Sequence, residues 1–133
     1  MSQEDIVIVG MARTPMGGLL GELANLSAPE LGAVAVKAAV KEAGVANADA
    51  IFMGNVLSAG LGQAPARQAA LKAGLDKGTQ AVTLNKMCGS GLQAVAMARQ
   101  ALLSGESDVV IAGGMESMTR APFLMQKHRA GQK

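Results

Sequence analysis

Apolar and polar positions divide the chain into four short β-branched runs with Ala-rich stretches between them. The first run, Ile6-Val7-Ile8-Val9, continues toward Ala12 and closes at Thr14-Pro15. It has no polar alternation, which is the pattern of a strand covered on both faces. The second is Ala50-Ile51-Phe52-Met53, running into Gly54-Asn55-Val56-Leu57. The third is Ala81-Val82-Thr83-Leu84, and the fourth is Val109-Val110-Ile111-Ala112, which ends in Gly113-Gly114-Met115-Glu116. Each predicts a strand.

Three helices are predicted around them. After the Gly-rich passage Gly17–Gly21, Ser27 and Glu30 form a capping-box pattern that satisfies orphan donors at a helix start. Leu31, Val34, Ala35 and Ala38 then recur at helical spacing, and Gly44 is a C-terminal stop. Pro65 opens a second helix that passes through Ala70 and Leu71 and ends at Gly74. The third follows Cys88-Gly89-Ser90-Gly91, carries Leu92, Val95, Ala96 and Leu103, and stops at Gly105. Strands alternating with helices predict an α/β sheet with helices on its faces.

Composition narrows the function classes. The 133 residues suit one domain, and 50% hydrophobic content excludes disorder by composition. With 2% aromatics and 17 Gly, the core has to be built from small aliphatic side chains. The net charge of +2 comes from the end of the chain, where Arg120, Lys127, Arg129 and Lys133 have no acid among them. The remaining body is mildly acidic and nearly without aromatics, which argues against nucleic-acid binding. Residues Met1–Asp5 are acidic where a targeting peptide is basic, and no apolar run approaches the ~18 residues of a spanning helix. A cytoplasmic protein without membrane contact is expected. The single cysteine allows no internal disulfide and is too few for a structural zinc site. The polar tail after Arg120-Ala121-Pro122-Phe123 leaves the last strand without a successor, as in an incomplete domain.

Cys88 is placed where a strand gives way to a helix. Unpaired amides and the dipole of a helix N-terminus favour an anion, and thiolate is the nucleophilic form of cysteine. Small residues at Gly89, Ser90 and Gly91 allow close approach of a substrate and leave amides free as oxyanion donors. An inert buried cysteine fits the same position. The dipole alone contributes only ~0.3–1 kcal/mol, so an activating base has to come from elsewhere. Gly89-Ser90-Gly91-Leu92-Gln93-Ala94 also fits a dinucleotide fingerprint, with Glu116 ending the next strand, although that fingerprint belongs in the first strand–helix turn. His128, between Lys127 and Arg129, reads as a solvated histidine. Met115 and Met118 suit either core filling or a soft apolar pocket. Glu116 reads as a structural hydrogen-bonding residue.

The segment Leu84-Asn85-Lys86-Met87-Cys88-Gly89-Ser90-Gly91-Leu92-Gln93-Ala94-Val95, with Leu102 seven residues on, resembles the acyl-enzyme signature of the thiolases. Arg13-Thr14-Pro15-Met16-Gly17, Gly62–Ala70 and Gly113-Gly114-Met115-Glu116-Ser117-Met118 are similar to other thiolase motifs, so the likeness extends from Ile6 to about Phe123. The resemblance implies a layered α/β/α fold with a mixed sheet and an incomplete N-terminal domain. Residues 1–118 would be that partial domain, and 119–133 the start of a loop region. It also implies condensation of two acetyl-CoA to acetoacetyl-CoA, and the reverse thiolysis, through an acyl-thioester on Cys88. The Cys88 backbone N–H would contribute to the oxyanion hole.

On the same grounds no cofactor and no metal is expected, since coenzyme A enters within substrate and product. The partners implied are an acyl-CoA and further copies of the chain, as a dimer or tetramer paired through Ala81–Met87 when complete. The family's activating histidine, its second cysteine and its Asn–His oxyanion site have no match here, and His128 fits none of them. The alternative is a catalytically silent structural or dimerisation module.

Overall fold

The computed structural model describes residues 5–131, in which three α-helices alternate with three strands. They are α1 (Ala28–Ala43), β1 (Ala50–Gly54), α2 (Pro65–Ala73), β2 (Gln80–Leu84), α3 (Ser90–Leu103) and β3 (Val110–Gly114). Single 3-10 turns at Met118–Arg120 and His128–Ala130 follow.

Local chemistry sets the helix ends. At α1 the Glu30 carboxylate accepts from the Ser27 backbone N–H at 2.8 Å and from its hydroxyl at 2.6 Å, the expected capping box. Those bonds, the hydroxyl's first, hold the Glu30 carboxyl below its ordinary pKa. The helix closes on Gly44 at φ 67°, a conformation that costs glycine little. Pro65 opens α2 as predicted, and the Thr83 hydroxyl of β2 accepts the Ala66 N–H at 2.9 Å. Gly74, at φ 91°, closes it.

The sheet has the order β2-β1-β3, and both ladders are parallel. An antiparallel member, which a mixed sheet requires, is not present among the described residues. Ile51 and Met53 point to the face covered by α1 and α2, where they join Val36, Ala66, Ala69, Ala70, Leu75 and Met115 in the core. Gly54 points to the opposite face and meets α3. Helices therefore cover both faces, giving the α/β/α layering.

Three expectations need correction. Ile6–Val9 forms no strand. Its residues make no backbone–backbone hydrogen bond among the described residues, and Val7 and Ile8 are 68% and 81% exposed. β-Branched composition supplies propensity, but a ladder needs a partner strand, and the segment pairs with none among the described residues. The segment runs along α1 instead. A Cβ on Gly10 would stand 2.5 Å from the Ala39 carbonyl oxygen, and the Met11 N–H donates to Glu42 at 2.8 Å.

The buried stripe of α1 is Ala28, Pro29, Gly32, Ala33 and Val36, not the face of Leu31, Val34 and Ala38. Likewise α3 buries Ser90, Ala94, Ala98 and Ala101, while Leu92 is 78% exposed. In both helices the smallest residues face inward because they let neighbouring backbones approach closely. Gly32 shows how closely: a Cβ there would lie 2.6 Å from the Met115 sulfur. Among the described residues no helix is long and apolar enough to cross a membrane.

Candidate functional site

All three strands deliver their C-terminal ends to one rim, and Cys88 stands there in the β2–α3 connection. The chain passes from β1 through α2 to β2, then through α3 on the other face to β3 on the far side of β1. Such a change of direction opens a crevice beyond the carboxyl ends of parallel strands, where α/β proteins bind ligands.

A closed set of hydrogen bonds shapes the turn carrying Cys88. The Asn85 carboxamide oxygen accepts from the Met87 N–H at 3.0 Å. The Ser90 hydroxyl accepts from the Lys86 N–H at 2.8 Å and donates to the Met87 carbonyl at 2.6 Å. Met87, just before the cysteine, has φ 50°, a left-handed conformation that costs a side-chain-bearing residue energy. The turn holds Cys88 exposed, two residues ahead of the first helical residue. Cys88 is therefore not the buried cysteine of the alternative reading.

The amides differ from expectation. Those of Gly89 and Ser90 are used within the turn, donating to the Lys86 and Met87 carbonyls at 3.1 Å each. The Cys88 N–H has no acceptor among the described residues and is available to an incoming oxygen.

Two features beneath the turn were not apparent from sequence patterns. Gly54 lets α3 sit directly on β1, since a Cβ there would stand 2.6 Å from the Ser90 Cβ and 3.0 Å from the Gly91 nitrogen. The Glu116 carboxylate accepts from the Asn55 side-chain amide at 2.8 Å and from the Val56 and Leu57 N–H groups at 3.0 Å each. Asn55 also donates its side-chain N–H to the Met115 carbonyl at 3.2 Å and its backbone N–H to the Leu84 carbonyl at 3.0 Å. The ends of all three strands are thus tied together beside Cys88. Glu116 is the structural acceptor that the sequence suggested.

The other candidates separate. Met115 is buried in the core and Met118 is exposed. His128 lies in an exposed single turn and shares no hydrogen bond with Cys88 among the described residues. No cluster of three or more His, Cys, Asp or Glu side chains able to hold a metal is present among the described residues.

Comparison with known proteins agrees with this architecture. Residues 6–133 match the family model described as Thiolase, N-terminal domain, and the chain belongs to the thiolase family. It is 50% identical over 135 residues to acetyl-CoA acetyltransferase 2 of Arabidopsis thaliana, covering 100% of this chain and 34% of that protein. It is 51% identical over 129 residues to the acetyl-CoA acetyltransferase of Cupriavidus necator, covering 96% of this chain and 33% of that one. Among solved structures, the Acat5 thiolase from Ascaris suum in complex with coenzyme A superposes with a TM-score of 0.91 at 40% identity, covering 93% of this chain and 33% of that chain. The chain therefore spans about a third of the length of the relatives it matches.

Proposed function

We propose that this chain carries the acyl-accepting cysteine of an acetyl-CoA acetyltransferase-type thiolase. The observation that carries the proposal is the exposed Cys88 on a hydrogen-bonded, left-handed turn at the start of α3, with its own N–H unpaired. The names of the relatives support an acyl-CoA as substrate.

In the proposed step the Cys88 sulfur attacks the thioester carbonyl of acetyl-CoA. A new C–S bond forms at Cys88, the bond to the coenzyme A sulfur breaks, and that sulfur leaves with a proton. The carbonyl oxygen gathers negative charge as attack proceeds, and the unpaired Cys88 N–H is positioned to donate to it. A thioester keeps the acetyl group reactive toward the α-carbanion of a second acetyl-CoA, whose attack yields acetoacetyl-CoA and frees the cysteine. The bases for both deprotonations are proposed to lie outside these 133 residues. In the complete protein, copies are proposed to pair through the open edge of β2, whose residues Gln80–Leu84 are bonded on one side only.

Peptide mass spectrometry after incubation of the complete enzyme with acetyl-CoA tests the assignment. An acetyl adduct on Cys88, lost in Cys88→Ser together with acyl transfer, is the expected result. An adduct confined to another residue, or full activity in the Ser variant, contradicts it.

A further inference from the structure

Lys86 stands two residues before Cys88 in the connection that joins β2 to α3. Its carbonyl accepts the Gly89 N–H at 3.1 Å, so residues 86–89 form one tight turn. The end Cα atoms of such a turn lie less than about 7 Å apart, a span that the flexible four-carbon stem of a lysine reaches across. The stem folds along this turn, with its Cγ and Cδ 4.0 Å from where a Cβ on Gly89 would stand. The exposed ammonium donates to the Gln93 side-chain oxygen on α3 at 3.0 Å, its one hydrogen bond among the described residues. Gln93 is neutral, so the bond does not fix a charge there as a carboxylate would.

We infer that Lys86 is a self-acetylation site that takes the acetyl group from the thioester on Cys88. The inference rests on the acyl-cysteine proposed above, which supplies the donor. The free-amine form of Lys86 attacks the thioester carbonyl carbon. A C–N bond forms, the C–S bond to Cys88 breaks, and the proton released by the amine passes to the departing sulfur. The products are an Nε-acetyl group on Lys86 and a free thiol at Cys88, ready to be acetylated again. Within one turn the transfer is intramolecular, which raises the effective concentration of the acetyl group far above that of a donor in solution. The hydrogen bond to Gln93 opposes the transfer by holding the ammonium against α3. An amide is less reactive than the thioester it came from, so the modification accumulates whenever the acetyl-enzyme waits for its second substrate. It cancels one positive charge beside the nucleophile.

The test incubates the complete enzyme with acetyl-CoA and follows acetylation of individual residues over time by peptide mass spectrometry. Lys86 is expected to gain acetyl at least about tenfold faster than Lys37 of α1 and Lys72 of α2, which are equally exposed to the reagent. Cys88→Ala is expected to lower the Lys86 rate to that of these two lysines. Gln93→Leu, which frees the ammonium, is expected to raise it about two- to tenfold, the worth of one hydrogen bond. A Lys86 rate no higher than the two controls overturns the inference, as does an undiminished rate in Cys88→Ala. An unchanged or lower rate in Gln93→Leu, with Cys88 still acetylated, equally overturns it. Acetyl on Cys88 without transfer to Lys86 leaves the cysteine assignment intact and defeats this inference alone. Acetyl on neither residue defeats both.

Discussion

Gly54 at the end of β1 and Ser90 at the start of α3 touch so closely that a Cβ on Gly54 would stand 2.6 Å from the Ser90 Cβ. Ser90 in turn fixes the turn that presents Cys88, through its bonds to Lys86 and Met87. A strand residue is thereby coupled to the position of the candidate nucleophile. Gly54→Ala is expected to cost about 1–3 kcal/mol, the usual penalty for overpacking a tight contact. Gly91→Ala is the control, because nothing lies within 4 Å of a Cβ there, and relief of helical glycine is worth roughly 0.5–1 kcal/mol. Urea denaturation of both variants checks this. Equal stabilities would mean that the contact relaxes at no cost.

Glu116 holds the chain leaving β1 by accepting three hydrogen bonds from residues about sixty positions earlier. Glu116→Ala leaves the Val56 and Leu57 amides and the Asn55 side chain without that acceptor. A loss of ~1–3 kcal/mol is expected, the range for a partly buried donor left unpaired. Hydrogen exchange gives the more specific readout, since the amides of Val56 and Leu57 should exchange faster while those of α2 are unchanged. Uniform acceleration throughout the chain would indicate global destabilisation instead.

These two contacts also mark what the sequence can and cannot disclose. The ends of α1 and α2 were legible because their causes are local: Ser27 with Glu30, Pro65, Gly44 and Gly74 act within a turn of their own helix. The Cys88 turn was legible in place for the same reason. The run Ile6–Val9 was misread because a strand is a property of two chains of residues, and its composition says nothing about a partner. The inward faces of α1 and α3 were misread because, in an Ala-rich helix, larger residues such as Leu31 and Leu92 outweigh the small ones in any pattern. Close packing selects the small ones. Glu116 was assigned a structural role from its type, but no spacing rule connects it to Val56.

Asp49 gives a pH signature. Its carboxylate accepts from the Asp108 N–H at 2.8 Å and the Val109 N–H at 3.0 Å, joining the approach to β1 with the approach to β3. These bonds, Val109's first, lower its pKa below the ordinary aspartate value. A carboxyl whose folded pKa is depressed stabilises the fold fully above its unfolded value of about 4. That contribution is lost as pH falls through the depressed folded value. Asp49→Asn is therefore expected to be less stable than the native sequence at pH 7, with the difference closing as pH falls through the depressed folded value. Denaturation midpoints of the two proteins, measured from pH 7 downward into acid, check the sign, and a gap that widens in acid would contradict it.

The 133-residue chain by itself is expected to be reactive at Cys88 but without turnover. The thiol is exposed, so stoichiometric alkylation by iodoacetamide should reach it. Catalysis requires more than access. A helix N-terminus contributes about 0.3–1 kcal/mol toward a thiolate, less than a factor of ten in rate. A positioned general base is worth about 10²–10⁴, and the proposed condensation needs one for the thiol and one for the α-carbon of the second acetyl-CoA. His128, the only histidine, has no hydrogen bond to Cys88 among the described residues and sits on an exposed turn. Missing both bases lowers the rate by the product of two such factors, far beyond what the helix restores. Thiolysis of acetoacetyl-CoA, followed by loss of its absorbance, should stay at the rate of the uncatalysed reaction even when alkylation of Cys88 shows the thiol to be accessible. Sustained turnover from this chain alone would place a working base within it and refute the assignment of that role to the rest of the enzyme.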